Sequence, residues 1–250
     1  MAEPLAPSDL TARLRALTPA RVGLARAGTA LATTPMLAFQ LAHAAARDAV
    51  HAALSDGFAA EIAGRPTAAV RSRAPDRETY LRRPDLGRRL AAESRAALET
   101  CRGEVALVIA DGLSASGIAE HGVALAEAII GRLAVRSFAP VTIARQARVA
   151  LGDDIGEALG ASIVIVLIGE RPGLSAADGI GAYITLHPRI GRIDAERNCV
   201  SNIRPGGLPL DRAADQIAAL TNAAFVLGET GVRLKLTSDQ LHDSDNRGRP

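Results

Sequence analysis

The run Ile163-Val-Ile-Val-Leu-Ile168 constrains the fold more than any other stretch of the chain. It is β-branched apart from Leu167 and contains no polar residue. That pattern belongs to a central strand covered on both faces, not to a strand with one wet side. Gly169 and the sequence Arg171-Pro172-Gly173 stop it sharply. Ligands of open α/β sheets sit just outside the carboxyl ends of the strands, so Glu170 and Arg171 stand where a recognition residue is expected. The same two residues also fit a plain surface turn with a capping ion pair.

A second apolar run, Val105-Ala-Leu-Val-Ile-Ala110, leads directly into Asp111-Gly-Leu-Ser-Ala-Ser-Gly-Ile118. Strand, tight turn and hydroxyl-rich helix start together make a phosphate or polar-ligand loop. The loop has neither a Gly-x-Gly-x-x-Gly fingerprint nor a Walker lysine, and Ser116 occupies the place where a nucleophile elbow requires glycine. Asp111, Ser114 and His121 are neighbours in sequence only, which does not define a hydrolytic triad. The periodicity predicts a helix over 120–133, a strand within 135–143 bounded by Pro140, and a helix ending near Leu159. A strand over 179–186 and a helix over 210–227 follow. These elements predict an α/β fold, a Rossmann-like and mostly parallel sheet flanked by helices, over residues 101–236.

The first hundred residues read differently, as an N-terminal helical extension and linker for subunit contacts. A short helix is expected around 9–17. Thr18-Pro19 and Thr33-Thr34-Pro35 resemble N-caps followed by a first-turn proline, and the second opens a long helix reaching about Gly57. The arginines of Arg21-Val-Gly-Leu-Ala-Arg-Ala-Gly-Thr29 suit an anionic group or a partner subunit, or else a solvated bend. Residues 64–84, with Pro66, Pro75 and Pro84, read as a linker or an arm over a neighbour, and 86–98 as a helix. His43 and His51 lack a completing carboxylate and read as packing or hydrogen-bonding residues. Residues 237–250 are expected to be a disordered tail.

Composition narrows the function classes. With 29 Lys plus Arg against 27 Asp plus Glu and no basic block, nothing calls for a nucleic-acid partner. Two cysteines, Cys101 and Cys199, supply neither a zinc cluster nor a disulfide framework, which fits a reducing cytosolic setting. The sequence offers no signal-peptide pattern and no long uninterrupted apolar span, so no membrane role is expected.

Several segments, in order, then resemble the small (light) subunit of ethanolamine ammonia-lyase. They are Arg21 to Thr29 with the following helix through Arg47-Asp48-Ala49-Val50, Asp111-Gly-Leu-Ser-Ala115, Arg148-Val149, and Gly152-Asp-Asp-Ile-Gly-Glu157. Gly169-Glu-Arg-Pro-Gly-Leu174 and Cys199-Val-Ser-Asn-Ile203 with Gly206-Gly207 complete the set. The resemblance implies adenosylcobalamin held between this chain and a large (heavy) barrel subunit, with contacts from Val149, Glu170 and Cys199. It also implies that the substrate site lies on the large subunit, where ethanolamine yields acetaldehyde and ammonia, and that this chain supplies no catalytic residue and no metal ligand. The Asp-x-His-x-x-Gly motif is missing, so the cofactor's own benzimidazole is expected to stay on cobalt. A multimer of heterodimers in the cytoplasm, within a bacterial microcompartment, is the expected setting. The alternatives are a non-catalytic scaffold component of an ethanolamine-utilisation complex and a stand-alone nucleotide-binding α/β enzyme.

Overall fold

A computed structural model describes residues 9–18 and 20–235. The N-terminal part holds α1 (Asp9–Ala16), the small hairpin β1 (Arg26–Ala27) and β2 (Ala30–Leu31), and α2 (Thr33–His51). Next come β3 (Glu61–Ile62), β4 (Arg65–Arg71), α3 (Arg77–Arg82) and α4 (Ala92–Leu98). The remainder is β5 (Val105–Ala110), α5 (Ala115–Arg132), β6 (Val141–Arg145), α6 (Leu151–Ala158) and β7 (Ile163–Gly169). It closes with β8 (Ile180–Leu186), β9 (Asn198–Ile203) and α7 (Leu210–Leu227).

One mixed sheet of seven strands, in the order β3-β4-β6-β5-β7-β8-β9, organises the molecule. Its four central strands are parallel, while β3 and β8 run the other way. The β5-to-β6 and β6-to-β7 connections go to opposite sides of β5, so the crevice of a doubly wound sheet opens at the carboxyl ends of these strands.

Alternation along each buried strand builds two cores. Val105, Leu107, Ile109, Ile163, Ile165 and Leu167 join Ile118, Ile129 and Ile217 from α5 and α7. Ala106, Val108, Val164, Val166 and Ile168 face the other way, onto Leu98, Leu151 and Ile155 from α4 and α6. The first core runs across the sheet from Ile62 to Val200 and Ile203. The second stops at β7, with only Tyr183 of β8 packed at its margin.

Several expectations change. Residues 64–84 are not a linker: β4 pairs with β6 along five register positions, because the branched or small residues of Thr67-Ala-Ala-Val70 suit the sheet once Pro66 lies at its start, against short β3. The 86–98 helix divides into a 3-10 turn, Leu86–Arg88, and α4. Between them the backbone of 89–91 bonds to 71–73 instead, and Leu90 N–H donates to the buried Asp154 carboxylate at 2.9 Å. The strand expected within 135–143 begins after Pro140, and the helix expected over 120–133 starts at Ala115. Helix α2 stops at His51, and Ala32 rather than a threonine is its N-cap. Pro19 and the tail 237–250 lie outside the described residues. No helix among the described residues is long and apolar enough to cross a membrane.

Candidate functional site

The uncovered part of the second face lies over β8 and β9, and its residue types follow from strand alternation. On β8, Ile180, Ala182, Ile184 and Leu186 enter the first core, which leaves Gly181, Tyr183 and Thr185 on the other side. On β9, Val200 and Ile203 are buried while Cys199 and Ser201 are exposed. Cys199 lies opposite Tyr183 in the register, and Tyr183 opposite Val166.

Glu170 closes the upper edge of this patch. Its N–H donates to Gly179 O at 2.9 Å, and its Oε1 accepts from Asn202 N–H at 3.1 Å. The carboxylate lies across a bare stretch of β8, where a Cβ added at Gly181 would stand 3.1 Å from both Glu170 Oε1 and Tyr183 Cε2. Glycine there is what lets the carboxylate lie against the backbone. Among the described residues Oε2 has no hydrogen-bond partner, so it is available to an incoming donor.

The loop after Glu170 is fixed from below. Gly173 N–H donates to Ala176 O at 2.8 Å. Ser114 Oγ donates to Ala177 O at 2.7 Å. The hydroxyl-rich turn after β5, expected as a phosphate or polar-ligand loop, therefore turns inward: Ser114 and Asp111 are buried and bonded within the protein. They form no triad with His121, whose ring sits 3.6 Å from Glu120.

Val149 packs on the second core, whose margin Tyr183 also meets. It lies just ahead of α6 and is half-buried. Helix α6 approaches β7 closely because Gly152 has no side chain; a Cβ there would come within 2.2 Å of Val166 Cγ2. The two acids of α6 then point to opposite sides. Asp154 accepts from Leu90 N–H and pairs with Arg95, whereas Asp153 pairs with Arg197 at 2.6 Å, both side chains being at most 3% exposed. Arg197 also donates to Thr185 Oγ1 and Arg192 O, so this buried charge is satisfied on several sides and joins α6 to the start of β9. Burial pushes the Asp153 carboxyl up, with Arg197 opposing.

Of the three predicted contacts, Glu170 and Cys199 lie beside Gly181 and Tyr183 on this side of β8, and Val149 packs on the same second core that Tyr183 borders. Sequence reading missed Tyr183, Gly181 and Asn202, which complete the patch; the alternation of β8 was the available signal. Chemically the patch offers a carboxylate acceptor, an apolar rim and a poorly nucleophilic thiol. Although Cys199 is exposed as a residue, partial desolvation of its sulfur raises the thiol, the Tyr183 hydrogen bond opposing and Glu170 adding to the rise. Burial likewise pushes the Tyr183 phenol up to about 12. Neither group is prepared for acid–base work near neutrality. Among the described residues no group of His, Cys, Asp and Glu is placed to hold a metal ion.

These features define an α/β chain built on a mixed seven-strand sheet flanked by helices. The family model described as "Ethanolamine ammonia-lyase light chain (EutC)" matches residues 8–235, and this chain belongs to that family. Similar relatives are the ethanolamine ammonia-lyase small subunits of Xanthomonas campestris pv. campestris, 49% identical over 94% of this chain and 90% of the relative, and of Azotobacter vinelandii, 48% identical over 89% and 87%. That of Rhodopseudomonas palustris is 51% identical over 89% and 88%.

Proposed function

We propose that this chain works as the small subunit of an ethanolamine ammonia-lyase, assembled with a large subunit that carries the ethanolamine site, and that it forms one side of the adenosylcobalamin site. What supports this reading is that Glu170 and Cys199 meet at the same stretch of β8, next to the second core against which Val149 packs. The patch fits the group. Cobalamin presents a broad apolar ring rimmed with amides; the free Oε2 of Glu170 can accept from an amide N–H, and Val149 and Tyr183 offer apolar surface. When bound, the cofactor supplies the radical chemistry, cleavage of its cobalt–carbon bond, that turns ethanolamine into acetaldehyde and ammonia.

The chain's own residues bind and orient. Glu170 fixes the rotation of the rim, Val149 and Cys199 exclude water from its margin, and none of them moves a proton. The sheet serves as a Rossmann-like platform, with the ligand at its carboxyl edge and beyond it on β8 and β9. Residues 1–100 supply subunit contacts, a role supported by the exposed Leu14, Leu31, Leu37 and Leu41. A multimer of heterodimers in the cytoplasm, inside a bacterial microcompartment, completes the reading.

The test is assembly with the large subunit, an absorbance titration with adenosylcobalamin, and an ammonia-release assay. Glu170→Ala is expected to weaken cofactor binding about tenfold or more, as befits loss of a hydrogen bond to a charged group. Unchanged affinity would remove Glu170 from the site, and full activity of this chain alone would overturn the division of labour.

A further inference from the structure

Val149 can meet a ligand in one defined place only if the segment Gln146–Val149, between β6 and α6, holds a single shape. The segment belongs to no strand, and Gln146 has φ +54°, a left-handed backbone that a non-glycine residue keeps only when its surroundings impose it. Those surroundings are explicit. Asp111 accepts from Gln146 N–H through Oδ2 at 2.8 Å and from Ala147 N–H through Oδ1 at 3.0 Å. Tyr80 Oη donates to Ala147 O at 2.8 Å, and Arg148 N–H donates to Gly87 O at 2.8 Å.

The clamp is itself braced. The Tyr80 ring lies between two guanidiniums, Arg77 at 4.8 Å and Arg148 at 4.4 Å from its centroid. Arg77 donates to Gly112 O and Val50 O and stands 3.9 Å from Asp111. Gly87 must lack a side chain, since a Cβ would fall 2.9 Å from Tyr80 Cε2. Tyr80 is wholly buried and Asp111 2% exposed, so neither can touch a bound molecule.

We propose that Tyr80 and Asp111 are positioning residues for cobalamin: they act through the Gln146–Val149 segment, which they hold so that Val149 meets the cofactor in a fixed orientation. This rests on the cofactor reading above. It also gives residues 76–88 a part in the site.

Tyr80→Phe separates positioning from folding, because it keeps the ring and both cation contacts and removes only the bond to Ala147 O. In the assembled complex, adenosylcobalamin is expected to bind roughly three- to tenfold more weakly, the range for one lost neutral hydrogen bond. Amide exchange at Ala147 and Arg148 should be faster. Ile217→Val, in the opposite core, serves as a stability control and should leave the cofactor affinity alone. Val149→Ala must weaken binding in the same titration. If Val149→Ala has no effect, the cofactor reading fails and this proposal falls with it. If Val149→Ala weakens binding but Tyr80→Phe does not, or Ile217→Val weakens it as much as Tyr80→Phe, positioning alone is overturned.

Discussion

The two faces of the sheet are built from the same strands by the same alternation, yet one is closed and the other is only half closed. Under α5 and α7 the apolar set continues from Ile143 through Ile109, Ile165 and Ile184 to Ile203, and thins only at β4, where Ala69 is exposed. Under α4 and α6 the set ends at Val166 and Ile168, and the next strands offer Gly181, Tyr183, Cys199 and Ser201. A stretch of sheet that no helix of its own chain covers must be content with water or wait for another molecule. The difference puts most of the packing on the first face and makes the second the one on which the proposed cofactor site rests.

The largest blow to this contrast should come from Asp153→Ala, which strikes the join between the two halves of the second face. It leaves Arg197 buried without its main counter-ion, at an expected cost of about 3–5 kcal/mol in urea unfolding. A loss under about 1 kcal/mol would mean that water reaches Arg197 and that charge does not hold α6 to β9. Next, Ile217→Ala on the closed face should cost about 2–5 kcal/mol, while Ser201→Ala on the open face should stay within about 0.5 kcal/mol. Similar losses at the two sites would dissolve the contrast.

The smallest effect is chemical. Because burial raises the Cys199 thiol, alkylation in a Cys101→Ser background should reach half its maximal rate above the ordinary thiol value of about 8.5. The sign follows from the thiolate being the nucleophile: a raised pKa leaves less of it at any given pH. Cofactor bound to the assembled complex should slow the reaction further, and a midpoint at or below the ordinary value would place Cys199 in water rather than against Tyr183.

The strongly periodic parts of the fold could be read directly. The run Ile163 to Ile168 is the central strand β7, and Leu210–Leu227 is a helix over the expected span. What escaped was decided by partners distant in sequence. Strand β4 carries a proline and two arginines, so only its pairing with β6 shows it to be a strand. Strand β9 hid behind Asn198, Cys199, Ser201 and Asn202, because a strand that is covered on one face and ends the sheet has few apolar positions to display. The break ahead of α4 depends on a carboxylate 64 residues away. The three predicted contacts rested on family resemblance; position at a strand end marked Glu170 together with Arg171, and the link from Tyr80 to Ala147 spans 67 residues with no local mark.

Strand β9 has one further consequence. As the last strand it has an outer ladder edge, the kind of template on which copies of a chain polymerise, and the chain's own Leu208 already occupies part of it by bridging to Ile203. The irregular register opposite β8 and the left-handed Asn202, followed by Arg204-Pro205, interrupt that ladder within a few residues. The edge is therefore a poor template, so a chain with part of its sheet uncovered by helices is kept from stacking on itself in dilute solution.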